Sequence, residues 1–127
     1  EVKAPQFIKV HGLGPRVAPA EKVDIFGYPG APGVAEGTAR VITDVGEVYR
    51  VEPGTILVTT ATGPVWTPIF AKLKGVVTDA GGTLTHAAVV AREYGIPAVV
   101  GTDDATHRIK DGQTIRVDGN KGCVWII

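Results

Sequence analysis

The residues with the clearest potential for chemistry lie in one short segment, TDAGGTLTHAAVVAREYG, which covers residues 78–95. Two glycines, Gly81 and Gly82, are followed by Thr83 and Thr85 and then by His86. A neutral imidazole is a nucleophile near neutral pH, while threonine hydroxyls and glycine amides are donors that suit an anion. This combination of residues indicates a histidine that works beside a bound anion.

The elements around this segment are predicted to be a strand, a glycine turn and a helix. GVVTDA is a short apolar run typical of a buried strand. After the glycines, apolar residues recur at i, i+3, i+4 and i+7 from Ala87 to Tyr94, which predicts a helix that ends at Gly95. His86 therefore falls in the first turn of that helix.

A helix N-terminus gives this histidine a particular chemistry. Its unpaired N–H groups and partial positive charge disfavour a protonated imidazole and favour a negative group attached to the ring. These are the properties that a phosphoryl-accepting histidine needs. A purely structural interpretation, with a glycine turn and a capping threonine, stays open at this point. No Ser-His-Asp set or carboxylate pair accompanies His86, so hydrolase chemistry has little support.

The remaining pattern predicts an α/β fold that is rich in strands and has two main helices. GYPGAPG is interpreted as a structural turn, since its glycines lack the spacing and context of a dinucleotide-binding motif. PVWTPIFAKLKG is predicted to form the other helix. The predicted strands are KAPQFIKV, TARVI, TILVTT, GVVTDA, PAVVGT and the closing hairpin TIRVDG with CVWII.

Composition and charge exclude several classes of protein. The 127 residues carry a formal net charge of zero and no basic run, which argues against nucleic-acid binding. No apolar run approaches the roughly 20 residues of a membrane span. Cys123 is the single cysteine, so neither a disulfide nor a metal site is indicated, and we expect a cytoplasmic protein.

The chain divides into two parts. Residues 1–26 are rich in proline and glycine and are predicted to be a linker or hinge, and residues 27–127 are predicted to be the folded domain. The sequence contains no methionine, even at position 1. We therefore expect a piece of a longer protein.

GGTLTHAAVVAREYGIPAVVGT resembles the signature of the phosphohistidine domain, also called the swivelling or mobile domain, of phosphoenolpyruvate (PEP)-utilising enzymes. That family includes PEP synthase, pyruvate phosphate dikinase and the first enzyme of the sugar phosphotransferase system. The resemblance covers residues 27–127 and includes GYPGAPGVAEGTARVI, PGTILVTTATGPVWTPIFAKLKGVVTDAGG and IKDGQTIRVDGNKGCVWII. The segments TLTHAAVVAREYGIPAVVG and DATHRIKDGQTIRVDG are most similar in sequence to dikinases with small organic acceptors, such as rifampin phosphotransferase and phenylphosphate synthase.

The resemblance implies a swivelling β/β/α fold in which His86 is the phosphorylated residue, on Nε2, and Gly81, Gly82, Thr83 and Thr85 form the loop that receives the phosphate oxygens. It implies that the domain binds no cofactor itself. ATP and Mg²⁺ would lie on an ATP-grasp partner domain, and the domain would swing to a second domain that binds the acceptor or PEP. Leu84 departs from the threonine that several members have, which we expect to reflect subfamily identity.

Two alternatives to a carrier within a multidomain phosphotransferase stay open. One is a non-catalytic structural or regulatory appendage, as in some pyruvate kinases, and the other is a free-standing phosphocarrier subunit. The donor, ATP or PEP, and the final acceptor are not decided by the sequence.

Several residues outside the motif also receive predictions. Residues 59–62 are predicted to play a polar role beside the site, and Asp79 to fix the loop by hydrogen bonding. Trp66 is predicted to pack in the core and Cys123 to be buried. Surface positions are predicted for Arg92, Glu93, His11 and His107.

Overall fold

The structure of the chain is a computed structural model that describes residues 23–127 in full. It also describes the backbone of two strands before them, β1 (Phe7–Val10) and β2 (Pro15–Val17), which pair antiparallel. The rest of the predicted linker up to residue 22, including His11, lies outside the described residues. Val23 and Ile25 are already buried, so the packed part of the molecule begins ahead of the predicted boundary at residue 27.

An eight-stranded mixed sheet organises residues 25–126. Its order is β3-β10-β9-β5-β6-β7-β8-β4, and the pairs β5–β6, β6–β7 and β7–β8 are parallel whereas the other pairs are antiparallel. The strands are β3 (Ile25–Phe26), β4 (Tyr28–Ala31), β5 (Val34–Val41), β6 (Thr55–Thr59), β7 (Leu73–Thr78), β8 (Ala98–Val100), β9 (Thr114–Asp118) and β10 (Cys123–Ile126). The helices are α1 (His86–Tyr94), α2 (Ala105–Arg108) and two 3₁₀ helices, Val45–Arg50 and Pro64–Lys72.

The parallel strands form the middle of three layers. Leu57 of β6 and Val76 of β7 pack with residues of α1 and of the second 3₁₀ helix. Their neighbours Ile56 and Val77 point to the opposite face and pack with residues of β3, β9 and β10. Strands buried on both faces require the continuous apolar runs seen in the sequence. The arrangement is β/β/α, which confirms the predicted fold class.

Two predicted elements differ from the structure. The GYPGAPG segment, predicted to be a turn, contains strand β4, which lies at the edge of the sheet and pairs with β8. An edge strand tolerates Pro29, because the N–H that proline lacks is not needed for a second neighbouring strand. The predicted helix from Pro64 is a 3₁₀ helix that ends at Lys72, and it contains Pro68, which cannot donate the α-helical hydrogen bond. Helix α2 and the first 3₁₀ helix were not predicted, because elements of four and six residues show no periodicity.

An ion cluster fixes the first 3₁₀ helix to the turn before β9. The Asp111 carboxylate accepts from Arg40 at 3.0 Å, from Arg50 at 2.6 Å and from the Val41 amide at 2.8 Å. Partial burial acts to raise the pKa of the Asp111 carboxyl, but the Val41 hydrogen bond and the two guanidinium groups outweigh it and lower that pKa below its ordinary value. Ionised Asp111 therefore stabilises the attachment of the first 3₁₀ helix to the turn before β9.

Candidate functional site

His86 lies where three elements meet. It is the first residue of α1, and it follows the 79–85 loop that leaves the end of β7. Residues from the segment after β6 stand beside it. A cleft of about 290 Å³ opens here, and its lining residues are Ala61, Thr62, Thr78, Ala80, Gly81, Thr85, His86 and Ala87. The polypeptide crossovers of the parallel strands thus bring together segments that are distant in sequence.

Both ring nitrogens of His86 are held by threonine hydroxyls. The Thr62 Oγ1 lies 2.7 Å from Nδ1, and the Thr67 Oγ1 lies 2.9 Å from Nε2. A neutral imidazole has one N–H donor and one acceptor nitrogen, and a hydroxyl can serve as either partner. Phe70 packs edge-on against the ring, with centroids 5.9 Å apart. The half-buried ring is therefore fixed in position while neither nitrogen faces a charged group.

The glycine loop closes on itself through Thr85. Gly81 has φ +97°, and a Cβ there would stand 2.6 Å from the Thr85 Cγ2, so the position requires glycine. The Thr85 hydroxyl donates to the Gly82 carbonyl at 2.7 Å. Thr85 is the N-cap residue of α1, yet its side chain makes no capping hydrogen bond. The N–H groups of the first turn of α1 are thus left without the cap that Thr85 would otherwise supply.

Arg92 ties this loop to the sheet. One nitrogen of its guanidinium donates to the Thr83 carbonyl at 2.7 Å, and the other donates to the Gly30 carbonyl of β4 at 2.5 Å. Arg92 is exposed, as predicted, but the sequence did not show that its guanidinium makes these two contacts. Both ends of its guanidinium are used within the domain.

Asp79 fixes the base of the loop rather than the glycines. Its carboxylate accepts from the Thr106 N–H at 2.9 Å and from the Thr106 hydroxyl at 2.5 Å, which anchors α2. The Asp79 backbone also bonds the Thr59 carbonyl and the Asp103 amide. The predicted hydrogen-bonding role is present, but its target is α2 and the loop before it.

The structure gathers only part of the predicted set into the cleft. Gly81 and Thr85 line it with His86, whereas Gly82 and Thr83 contribute carbonyl groups that hold the loop. Thr62 contacts the ring, as the prediction for residues 59–62 required, and Trp66 and Cys123 are buried as predicted. His107 is exposed on α2.

Thr67 is the contact that the sequence did not reveal. It lies 19 residues from His86 and belongs to the 3₁₀ helix Pro64–Lys72, whose helical type the sequence did not indicate. Its one distinguishing feature is that it is a polar residue within the apolar stretch PVWTPIF. Only the fold shows that this hydroxyl reaches the imidazole.

The segments that contact the ring carry no charged side chain. Residues 55–71 and 80–91, which supply all the contacts to His86 given above, contain no Asp, Glu, Lys or Arg. Within residues 23–127, no group of three or more His, Cys, Asp or Glu side chains is placed to hold a metal ion. In the same described part of the chain, no helix has the length and apolar character needed to cross a bilayer.

Comparisons with known proteins point to one family. Residues 51–122 match the family "PEP-utilising enzyme, mobile domain". Rifampicin phosphotransferase of Bacillus cereus is 54% identical over 109 residues, which is 86% of this chain and 12% of that protein. PEP synthase of Aeropyrum pernix is 48% identical over 108 residues, which is 84% of this chain and 13% of that protein.

A solved structure supports the same assignment. The solution structure of Enzyme I (nEIt) superimposes with a TM-score of 0.55 and 32% identity, over 63% of this chain and 33% of that one. The chain therefore spans about an eighth of the length of these two curated relatives and a third of the solved chain.

Proposed function

Because this chain belongs to the mobile-domain family of PEP-utilising enzymes, we propose that it is a phosphoryl carrier and that His86 is the residue that accepts and delivers the phosphoryl group. The observation that carries the proposal is the imidazole at the start of α1, held by one hydroxyl on each nitrogen. Its relatives are phosphotransferases and a PEP synthase, of which the chain corresponds to one domain.

The arrangement suits Nε2 as the nucleophile. With the proton on Nδ1 donated to Thr62, the Nε2 lone pair is available once the Thr67 hydroxyl moves aside. The lone pair attacks the donor phosphorus, a P–N bond forms, and the P–O bond to the leaving group breaks with its electron pair on that oxygen. The Nδ1 proton stays in place, and positive charge developing on the ring strengthens its hydrogen bond to Thr62.

The absence of charged side chains from residues 55–71 and 80–91 supports a carrier rather than a complete enzyme. A transferring phosphoryl group needs cations on its oxygens, either Arg, Lys or Mg²⁺. The segments that contact His86 contain no charged residue, so a partner has to supply that charge. We propose that an ATP-grasp domain carrying ATP and Mg²⁺ fills this role and that a second domain binds the acceptor or PEP. The domain would alternate between them in the cytoplasm, which is a gating motion of a known kind.

Labelling tests the proposal directly. The longer protein that carries this chain is incubated with ³²P-PEP and, separately, with ATP labelled at the β or γ position, and the product is treated with acid and with alkali. We expect the protein to carry label that is lost in acid and retained in alkali. The donor is identified by which compound transfers its label: PEP, or ATP labelled at the β or the γ phosphate. His86→Ala should remove the label, and His107→Ala is the matched control that should retain it. Label retained by a folded His86→Ala variant would contradict the assignment.

The same experiment separates the two alternatives. A non-catalytic appendage would take no acid-labile label on His86 from either donor. A free-standing carrier subunit would become labelled only when a separate donor protein is added. Either outcome would replace the multidomain phosphotransferase as the proposed setting.

A further inference from the structure

Arg92 makes two contacts that the carrier chemistry of His86 does not by itself require. Its side chain leaves the last turn of α1 and reaches two carbonyl groups from separate parts of the chain. Thr83 lies in the loop ahead of His86, and Gly30 lies in β4, which pairs with β8. A planar guanidinium can hold two acceptors at a fixed mutual angle, which a lysine cannot do.

The Thr83 contact controls the direction of one peptide group. The peptide between Thr83 and Leu84 is trans, so its N–H points opposite to its carbonyl. With the carbonyl turned to Arg92, the Leu84 N–H faces away from the guanidinium. Thr83 lies between Gly82, whose carbonyl accepts from the Thr85 hydroxyl, and Thr85, which immediately precedes His86. Holding the Thr83 carbonyl therefore restrains the loop that leads into His86.

The Gly30 contact gives the clamp a rigid base. α1 packs closely on β4, since a Cβ at Gly30 would stand 3.3 Å from the Ala88 Cβ and 3.2 Å from Val100. Arg92 therefore links the 81–85 loop to a closely packed part of the core. Two of the five N–H donors of the guanidinium hold backbone carbonyls, one in the loop and one in β4.

We propose that Arg92 is a positioning residue that keeps the 81–85 loop in the orientation that receives the phosphoryl group on His86. The proposal deepens the carrier function and rests on it. It predicts that loss of the clamp slows phosphorylation of His86 while the fold and the other histidines stay unaffected.

A partner-free assay isolates this effect in the 127-residue chain. Phosphoramidate, a small phosphoryl donor, is added, and phosphohistidine at His86 and at exposed His107 is followed separately by ³¹P NMR and peptide mass analysis. Arg92→Gln should slow the His86 reaction about tenfold, the order of one charge-assisted hydrogen bond, and leave the His107 reaction unchanged. Arg92→Lys should recover part of the rate, because an ammonium group can hold one of the two carbonyls.

Controls keep the outcomes distinct. Arg108→Gln removes an exposed arginine from α2 and should leave the rate at His86 at its wild-type value. If Arg92→Gln reacts at the wild-type rate at His86, the positioning role is refuted, although the carrier function stands. Failure of the carrier function would show separately, in the labelling experiment with PEP and ATP, as the absence of acid-labile label on His86. If Arg92→Gln lowers thermal stability markedly, Arg92→Lys decides: a fully folded Arg92→Lys variant with no change at His86 also refutes the proposal.

Discussion

Removing one threonine hydroxyl at a time distinguishes the two ring nitrogens of His86. Thr62→Val keeps the side-chain shape but removes the oxygen that lies 2.7 Å from Nδ1. If Nε2 accepts the phosphoryl group, Nδ1–H donates to Thr62 throughout the reaction. The hydrogen bond changes from neutral to charge-assisted as the ring gains positive charge, a difference of about 1 kcal/mol. Phosphorylation should therefore slow by about fivefold.

Thr67→Val is the matched variant on the other nitrogen. It removes the hydroxyl that lies 2.9 Å from Nε2, which has to leave before attack. The lone pair is freed, but a donor beside the arriving phosphoryl oxygens is lost, so these effects offset each other. We expect the rate to change by less than about twofold, since each effect has the size of one neutral hydrogen bond.

The assay combines phosphoramidate kinetics with ¹H–¹⁵N and ³¹P NMR to identify the phosphorylated nitrogen. His107 serves as the internal reference for donor concentration, and circular dichroism checks the fold of each variant. Phosphorylation on Nδ1, with Thr67→Val slowed and Thr62→Val unaffected, would refute the choice of Nε2. The two threonines would then exchange roles.

Three further predictions concern the scaffold of the site. Gly101→Ala should destabilise the domain by about 1–3 kcal/mol in a urea titration and disturb the 81–85 loop, because φ is +67° and the new Cβ would stand 2.6 Å from the Gly81 carbonyl oxygen. Gly112→Ala is the control: its φ is +91° but the space around it is open, so it should cost only the backbone strain. Phe70→Ala should lower the free energy of unfolding by about 3–5 kcal/mol, because a fully buried ring under His86 is lost, and a loss below 1 kcal/mol would contradict that packing. Asp111→Asn should cost up to about 1 kcal/mol at pH 7. Since the folded-state pKa of Asp111 is lowered, this difference is fully present above the unfolded pKa and should vanish as the pH falls through the folded pKa; an equal loss at pH 2 and pH 7 would contradict the electrostatic cause.

The sequence determined the elements whose signals are local and repeated. The apolar period of α1, its glycine C-cap at Gly95 with φ +71°, and the hairpin of β9 and β10 follow from spacing and turn chemistry alone. The same reasoning placed His86 at a helix N-terminus. The resemblance over residues 27–127 indicated the family. Elements with mixed signals were less predictable. The glycines and prolines of GYPGAPG indicated a turn, although an edge strand such as β4 tolerates them. The predicted helix from Pro64 is present, but its 3₁₀ type was not foreseen.

Only the tertiary structure decided which side chains surround the histidine. The parallel crossovers carry Thr62 and Thr67 to the imidazole across 24 and 19 residues, and no periodicity links positions so far apart. The fold likewise showed that Arg92, exposed as predicted, is a clamp between Thr83 and Gly30. The sequence thus determined that a histidine stands at a helix N-terminus beside a glycine loop. The packing of α1 on the sheet decided what orients it, because long-range hydrogen bonds depend on how the elements pack rather than on local sequence.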